Sequence, residues 1–197
     1  MSAAFLPPVP PQVPRRRSRF GSWLMRGMLR LSGWRLAGEL PALPRLVVIG
    51  APHSSYWDGV WGLVMKTALN VDINIMVKRE VMDSPLGILL RPLGLIPVDR
   101  KAALNVVGQM AQRFATHERM WLGITPEGTR KAVTQWKSGF LRIAREAGVP
   151  ILPVFIDYPS KTFTLGAPQY ASGDDDADMA RIRALFRGYR GKHRGAA

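Results

Sequence analysis

Short apolar runs alternate along the chain with segments whose apolar positions recur at helical spacing. The runs are rich in β-branched residues, as buried strands are, and they fall at residues 46–49, 73–77, 95–98, 121–125 and 151–157. The intervening segments predict helices at residues 57–69, 84–91, 102–117 and 134–147, and a last helix begins near Asp174. This alternation predicts a single α/β domain over residues 34–190, with a mostly parallel sheet flanked by helices.

Residues 19–33 have the pattern of an N-terminal amphipathic helix. One face carries polar residues at spacings of three, four and four, namely Arg19, Ser22, Arg26 and Arg30. Much of the remaining surface is apolar: Phe20, Trp23, Leu24, Met28 and Leu31. Arginines opposite large apolar side chains are typical of a helix that lies in a membrane interface. The alternative is a surface helix that packs on the protein's own core.

The segments on either side are basic. Residues 1–18 combine five prolines with arginines, and we expect them to be disordered. Residues 191–197 form a basic tail that is either solvated or in contact with a membrane. No apolar run approaches the ~18 residues of a membrane-spanning helix.

Composition narrows the classes of function. The 197 residues include 28 Lys+Arg and 14 Asp+Glu, which give a formal net charge of +14. Such a surface favours polyanions: nucleic acid, anionic lipid headgroups or phosphorylated substrates. A hydrophobic content of 47% excludes a wholly disordered chain. The absence of cysteine excludes disulfides, a cysteine nucleophile and cysteine-ligated metal sites.

The first candidate for chemistry is the segment His-Ser-Ser-Tyr-Trp-Asp at residues 53–58, directly after a predicted strand. Sites collect at the carboxyl ends of strands in α/β sheets. With His53 in the turn and Asp58 in the first helical turn, their side chains can converge. An aspartate that holds one imidazole nitrogen fixes the tautomer, and the other nitrogen can then take a proton. The spacing alone is weak, since His53 is equally compatible with a satisfied polar residue.

Three further segments lie at predicted strand boundaries. Residues 126–130 have the sequence Pro-Glu-Gly-Thr-Arg. Gly128 permits close approach of a ligand, and Arg130 can bind a phosphate through two parallel hydrogen bonds. Residues 94–100 end in an Asp-Arg pair that includes Arg100. Residues 149–154 contain two prolines, which suit an edge strand or the side of a groove. Taken singly, each is also compatible with an ordinary turn, surface pair or core strand.

In this order the four segments resemble the blocks of the glycerolipid acyltransferase family, the lysophosphatidate and lysophospholipid acyltransferase type with the HxxxxD motif. The resemblance covers residues 34–158. The block N-H-x-S-x-x-D corresponds to residues 52–58, the glycine–arginine block to Gly94 and Arg100, F-P-E-G-T-R-S to residues 125–131, and the last block to residues 149–154. Lys78, Glu80, Pro85 and Gly87 also match. Pro52, Thr125 and Lys131 depart from the usual residues.

The resemblance implies transfer of a fatty acyl group from acyl-CoA or acyl-carrier protein to a lysolipid hydroxyl, with His53 as general base and Asp58 as its partner. The substrate-binding residues would be Arg100, Glu127, Gly128, Thr129 and Arg130. It implies no metal and no cofactor. Backbone N–H groups near the turn would stabilise the oxyanion. The acceptor would most simply be 1-acyl-glycerol-3-phosphate, with lyso-ornithine lipid and other lysolipids open. A bacterial enzyme of phospholipid synthesis, peripheral on the cytoplasmic face of the inner membrane, is expected.

Several other interpretations compete with this one. The charge alone would suit a nucleic-acid-binding protein, although no helix-turn-helix, RNA-recognition or zinc signature is present. A membrane adaptor with a degenerate site is a further alternative. Another is a hydrolase that uses Ser54 or Ser55, but neither serine lies in a glycine-flanked nucleophile elbow.

Three large apolar residues follow the site at helical spacing, namely Trp57, Trp61 and Met65. They either line an acyl-chain groove or pack in the core.

Overall fold

A computed structural model describes residues 5–16, 18–90, 93–98 and 103–193. The strands are β1 (Arg35–Ala37), β2 (Arg45–Ala51), β3 (Ile73–Lys78), β4 (Leu95–Val98), β5 (Met120–Ile124), β6 (Ile151–Asp157) and β7 (Thr162–Leu165). The helices are α1 (Arg19–Ser32), α2 (Tyr56–Leu69), α3 (Arg79–Asp83), α4 (Pro85–Leu90), α5 (Ala103–Thr116), α6 (Gly139–Ala147) and α7 (Asp175–Ala184).

The strands form one sheet in the order β1-β7-β6-β2-β5-β3-β4. Neighbouring strands are parallel except for β6 and β7, which are antiparallel. The predicted α/β domain with a mostly parallel sheet is therefore confirmed. Because β6, β2 and β5 are adjacent and parallel, their carboxyl ends meet at one edge of the sheet.

Both faces of the sheet are covered. Leu46 belongs to a core that includes Met65 of α2, whereas its neighbour Val47 belongs to a second core with Phe114 of α5 and Phe140 of α6. Side chains alternate between the two faces of a strand, so burial on both faces requires apolar residues at successive positions. This explains why these strands appear in the sequence as continuous apolar runs.

Some predicted elements differ from the observed ones. The predicted helix 84–91 is observed as α4, which is preceded by the short α3; Gly87 lies against the carbonyl of Met82, where a Cβ would clash. The predicted helix 134–147 begins at Gly139. Strands β1 and β7 are additional; each is short, and β1 is held by pairing with β7.

Residues 5–16 pack on the domain, unlike the disordered segment that their prolines predict. Val13 is fully buried in the core beneath α2. The carbonyl of Pro14 accepts the Asp72 N–H at 2.8 Å, and the Arg16 N–H donates to the Asn70 carbonyl at 3.0 Å. Proline has no N–H to satisfy, so an extended segment rich in proline can lie on a surface with few hydrogen bonds.

Helix α1 packs one side on α2 and presents five large apolar residues to solvent. Ser22 Oγ and Arg26 Nε both donate to the Ala68 carbonyl of α2, at 2.8 and 2.9 Å, and Leu29 is fully buried. Part of the predicted arginine face therefore packs on the protein. The exposed apolar residues, called the α1 surface below, are Phe20 (74% exposed), Trp23 (70%), Leu24, Met28 and Leu31 (93%). Within the described ranges, no helix has the length and apolarity needed to span a bilayer.

Candidate active site

The turn after β2 is built around the start of helix α2. Ser55 is the N-cap residue, and its Oγ accepts the Trp57 N–H at 3.2 Å. In return, the Asp58 carboxylate accepts the Ser55 N–H at 2.8 Å. This reciprocal arrangement is a capping box, which satisfies N–H groups that the first helical turn would otherwise leave unpaired. Asp58 is thus fixed in place by the helix that it helps to begin.

The same carboxylate holds His53. Nδ1 of His53 lies 3.1 Å from Oδ2 of Asp58, and Oδ2 also accepts the Ser54 N–H at 2.7 Å. The other oxygen, Oδ1, accepts the Tyr158 hydroxyl at 2.6 Å. Asp58 is only 4% exposed. The structure therefore brings together the two residues that the sequence places five positions apart, and it fixes the orientation of the imidazole ring.

The environment keeps Asp58 ionised. Burial by itself raises the pKa of Asp58, but the hydrogen bonds from His53, Tyr158, Ser55 and Ser54 outweigh it, so its pKa lies below the ordinary value. Burial raises the pKa of Tyr158, and its bond to Asp58 raises that pKa further. Tyr158 consequently remains a neutral donor, and an anionic Asp58 can stabilise a protonated His53.

The loop after β5 supports the turn from the other side. Glu127 is 1% exposed, and its Oε1 accepts the His53 N–H at 2.6 Å. Gly128 has a φ of 65°, a conformation that favours glycine, and its N–H bonds to the Thr125 carbonyl at 3.0 Å. Thr129 Oγ1 accepts the Lys131 N–H at 3.3 Å.

Arg130 lies over an aromatic residue of α2. Its guanidinium carbon is 3.5 Å from the centre of the Tyr56 ring, a cation–π contact. This contact places the charge beside the first turn of α2, close in sequence to Asp58. Arg100, the other predicted phosphate-binding arginine, lies outside the described residues.

The backbone N–H groups of residues 53–55 are not available to an oxyanion. His53 donates to Glu127, and both Ser54 and Ser55 donate to Asp58. The expectation that this turn supplies the oxyanion donors is therefore wrong for these three groups. Their function in the structure is to hold the two carboxylates.

Tyr158 was not among the candidates from the sequence. It directly follows β6, as His53 lies just beyond β2 and Glu127 just beyond β5. The signal in the sequence is its position as a polar side chain at the end of a buried apolar strand. Within the described ranges, no group of three or more His, Asp or Glu residues could hold a metal ion.

An apolar cavity of about 180 Å³ lies between α2 and the sheet, and His53 and Asp58 are among its lining residues. On the α2 side it is lined by Gly59, Gly62 and Met65. A Cβ added at Gly59 or Gly62 would meet no atom within 4 Å apart from the adjacent backbone of α2, so these positions leave open space. Of the three predicted groove residues, Met65 lines this cavity.

Trp61 packs against the core and Trp57 is exposed, and the two rings belong to an aromatic row along α2. Trp57 stacks on Trp61 at 6.4 Å, and Trp61 stacks on Trp34 at 5.4 Å. The Trp34 ring in turn meets the Tyr158 ring edge-on at 5.0 Å. Trp61 also lines a groove with Trp23, Leu24 and other residues of α1. The row therefore connects the α1 surface to the side chain that holds Asp58.

Comparisons with known proteins agree with this architecture. The sequence profile of the family described as "Acyltransferase" matches residues 38–157. Lysophosphatidylcholine acyltransferase 1 of Danio rerio is 31% identical over 154 residues, which are 72% of this chain and 28% of that protein. Lysophospholipid acyltransferase LPCAT4 of Homo sapiens is 33% identical over 152 residues, which are 72% of this chain and 26% of that protein. The chain thus matches about a quarter of the length of these relatives.

The fold also has a counterpart among solved structures. The crystal structure of the 1-acyl-sn-glycerophosphate (LPA) acyltransferase PlsC from Thermotoga maritima is similar with a TM-score of 0.55. The similarity covers 85% of this chain and 78% of that chain, at 16% sequence identity. At this identity the comparison supports the fold.

Proposed function

Because this chain belongs to the glycerolipid acyltransferase family, we propose that it transfers a fatty acyl group from an acyl thioester to the hydroxyl of a lysolipid, with His53 as general base. The observation that carries the proposal is the His53–Asp58 pair at an apolar cavity. A hydroxyl is a weak nucleophile until a base removes its proton, and a fatty acyl chain needs an apolar place to bind. Both are available in this site, since His53 and Asp58 are among the residues that line the apolar cavity.

In the proposed reaction, the acceptor oxygen attacks the thioester carbonyl carbon while its proton moves to Nε2 of His53. Asp58 holds Nδ1 and stabilises the imidazolium that forms. The tetrahedral intermediate then expels the thiolate, which takes the proton from His53. The carbon–oxygen bond replaces the carbon–sulfur bond, and no covalent enzyme intermediate, metal or cofactor is required. The thioester is acyl-CoA or acyl-carrier protein.

The cavity beneath α2 is proposed to bind the acyl chain. Its lining is apolar, and each buried methylene contributes about 0.8 kcal/mol. Glycine inside a helix is less favourable than alanine by about 1 kcal/mol. Gly59 and Gly62 contact no packing partner that explains this penalty, so open space for a ligand is a physical reason for their presence.

The acceptor is proposed to be a lysophospholipid, most simply 1-acyl-glycerol-3-phosphate. The relatives described above are named for lysophosphatidylcholine, lysophospholipids and lysophosphatidate. Arg130 supplies a planar cation beside the site, suited to a phosphate. Gly128 and Thr129 shape its loop, and Glu127 fixes the turn that carries His53.

We further propose that the protein binds peripherally to the cytoplasmic face of an inner membrane through the α1 surface. Phe20, Trp23 and Leu31 are exposed, and Trp61 continues this apolar area toward the site. The net charge of +14 favours anionic lipids, and each basic residue near such a surface contributes about 1 kcal/mol. The acceptor would then reach His53 from the plane of the bilayer.

The test is an assay of purified protein with acyl-CoA and with acyl-carrier protein as donors. The acceptor panel contains lysophosphatidate, lysophosphatidylcholine, lysophosphatidylglycerol and lyso-ornithine lipid in anionic vesicles. We expect turnover that depends on His53, with lysophosphatidate used fastest. Faster use of lyso-ornithine lipid would contradict the acceptor assignment, and no transfer by folded protein from either donor would contradict the function.

A further inference from the structure

The residues that follow α7 run back toward the active site. Tyr189 stacks flat on Phe155 of β6, with ring centres 4.5 Å apart and an interplanar angle of 6°. The Tyr158 N–H then donates to the Arg190 carbonyl at 2.8 Å, and the Arg190 N–H donates to Asp157 Oδ1 at 3.1 Å. This segment is therefore attached to the end of β6, at the residue whose hydroxyl holds Asp58.

Residues 191–193, the described part of the predicted basic tail, reach the catalytic turn itself. The His193 N–H donates to Ser54 Oγ at 3.3 Å, and Ser54 is buried next to His53. Lys192 Nζ lies 5.3 Å from the centre of the Trp57 ring. Trp57 directly precedes Asp58 in the sequence. Lys192 and His193 are exposed to solvent, and the His193 backbone is held at the turn that carries His53.

Two cations consequently flank the first turn of α2. Arg130 lies over Tyr56, and Lys192 lies over the adjacent Trp57. Among the described residues, neither cation has a carboxylate within ion-pair distance. The nearby carboxylates of Asp58 and Glu127 are buried and accept backbone N–H groups instead. Two side-chain cations beside the proposed base, with no ion-paired carboxylate in the part of the chain that the structure describes, favour the binding of an anion.

We propose that Lys192 binds a substrate phosphate together with Arg130, and that residues 190–193 form one side of the substrate site. This inference rests on the proposed function and adds a residue to it. The shared chemistry is a phosphate group, carried either by the lysolipid headgroup or by the thioester donor. The lipid is favoured, because Trp57 beneath Lys192 stacks on Trp61, which lines the groove with α1.

The kinetic test compares Lys192→Gln with Arg187→Gln. Arg187 is an exposed cation on the same segment, so its loss controls for general electrostatic attraction. We expect Lys192→Gln to raise the KM for lysophosphatidate about tenfold with little change in kcat, as loss of a hydrogen bond to a charged group predicts, and Arg187→Gln to leave it unchanged. A rise in the thioester KM instead would assign the same phosphate contact to the donor.

A second pair of variants tests the attachment of the segment. His193→Pro removes the N–H that donates to Ser54, whereas His193→Ala keeps it. We expect the proline variant to raise the same KM more than the alanine variant does. Equal values would contradict a positioning role for this hydrogen bond. Circular dichroism and thermal unfolding check that all variants are folded.

Calorimetric titration with glycerol 3-phosphate and with coenzyme A gives a readout that does not require turnover. Weaker binding of either probe to Lys192→Gln supports the phosphate contact, even if the wild-type protein transfers no acyl group and the proposed function fails. The inference is overturned if Lys192→Gln changes neither KM nor the affinity for either probe by more than about twofold, a difference below 1 kcal/mol.

Discussion

Tyr158 donates its hydroxyl to Oδ1 of Asp58 at 2.6 Å, although 100 residues separate the two in the chain. The bond lies on the carboxylate oxygen opposite the one that contacts His53. Asp58 is thereby held from both sides, and Tyr158 is expected to act on catalysis by positioning this carboxylate rather than by contact with the reacting atoms.

Replacement of Tyr158 with Phe should lower kcat about fivefold, the equivalent of one hydrogen bond of about 1 kcal/mol. The ring should keep its contact with Trp34, so the fold is retained. Loss of this bond raises the pKa of Asp58, so the acidic limb of the pH–rate profile should also change. Tyr170→Phe, at an exposed tyrosine, is the matched control. Equal kcat values and pH profiles for the two variants would contradict the positioning role.

Removal of the proposed base should have a much larger effect on kcat. We expect His53→Ala to lower kcat about a hundred- to ten-thousandfold, while its backbone N–H still donates to Glu127. Asp58→Asn should lose less, because its amide oxygen can accept the N–H groups of Ser54 and Ser55 while the negative charge is gone. Steady-state kinetics and thermal unfolding of both proteins provide the measurement. Near-normal turnover by folded His53→Ala would refute the general base.

Substitutions of Gly62 that fill the cavity should distinguish an effect on protein stability from an effect on the length of the acyl chain that is used. Gly62→Ala should raise the free energy of unfolding by about 1 kcal/mol, because the new Cβ meets open space in a helix. Gly62→Leu should shift donor preference toward shorter acyl chains, measured with a series of acyl-CoA donors. Gly108→Ala in α5 is the control, since it also lies in open space but away from the cavity. An unchanged donor profile for Gly62→Leu would argue against acyl binding there.

A buried lysine predicts a pH dependence of stability. Burial lowers the pKa of Lys66 to about 8, from 10.5 in its ordinary state, while Nζ donates to the carbonyls of Leu93 and Ile73. Between these two values the unfolded chain binds more protons than the folded one, so stability rises with pH. We expect a gain of about 2 kcal/mol from pH ~7.5 to ~9.5.

Urea unfolding at the two pH values measures this gain. The Lys66→Met protein has no such titration, and its stability should change less over the same interval. The same increase in both proteins would assign the effect to other groups.

The α1 surface can be tested without disturbing the core. The double variant Trp23→Glu and Leu31→Glu should lower the affinity for phosphatidylglycerol vesicles, measured by co-sedimentation, at least about tenfold. The reason is that burial of each such side chain contributes about 1.5–3 kcal/mol. Thermal stability should remain nearly unchanged. Leu185→Glu, at a leucine exposed elsewhere, serves as control. Equal sedimentation of the double variant and the control would exclude α1 as the membrane contact.

Deletion of residues 1–33 is a less selective test. Val13 and Leu29 are fully buried, and the side chains of Ser22 and Arg26 donate hydrogen bonds to the Ala68 carbonyl. We therefore expect the truncated protein to be destabilised as well as released from vesicles. The packing of Val13 differs from the expectation that residues 1–18 are disordered, whereas the helix expected at residues 19–33 is observed as α1.

The sheet could be predicted from the sequence because β2 to β6 are buried and therefore appear as apolar runs. The observed bounds of these strands lie within two residues of the predicted ones. The convergence of His53 and Glu127 follows from the same pattern, since carboxyl ends of parallel neighbours share one edge.

Other features depend on contacts between distant parts of the chain. β1 is only three residues long and pairs Arg35 with Thr162, so no local pattern marks it. The contact of Tyr158 with Asp58 likewise requires β6 to lie beside β2. The attachment of His193 to Ser54 requires that α7 return the chain to this edge. Propensity and periodicity carry no information about such pairings.

The Asp58 carboxylate both caps helix α2 and contacts the His53 ring. Many enzymes sacrifice stability at catalytic positions, so that substitutions there make the protein more robust and less active. At position 58 the two demands coincide, because the carboxylate that orients His53 also accepts the Ser55 N–H of the capping box. A chain that has formed the start of α2 has by the same bonds aligned His53, the proposed base. Selection for a well-folded protein and selection for an active one would therefore preserve the same residue.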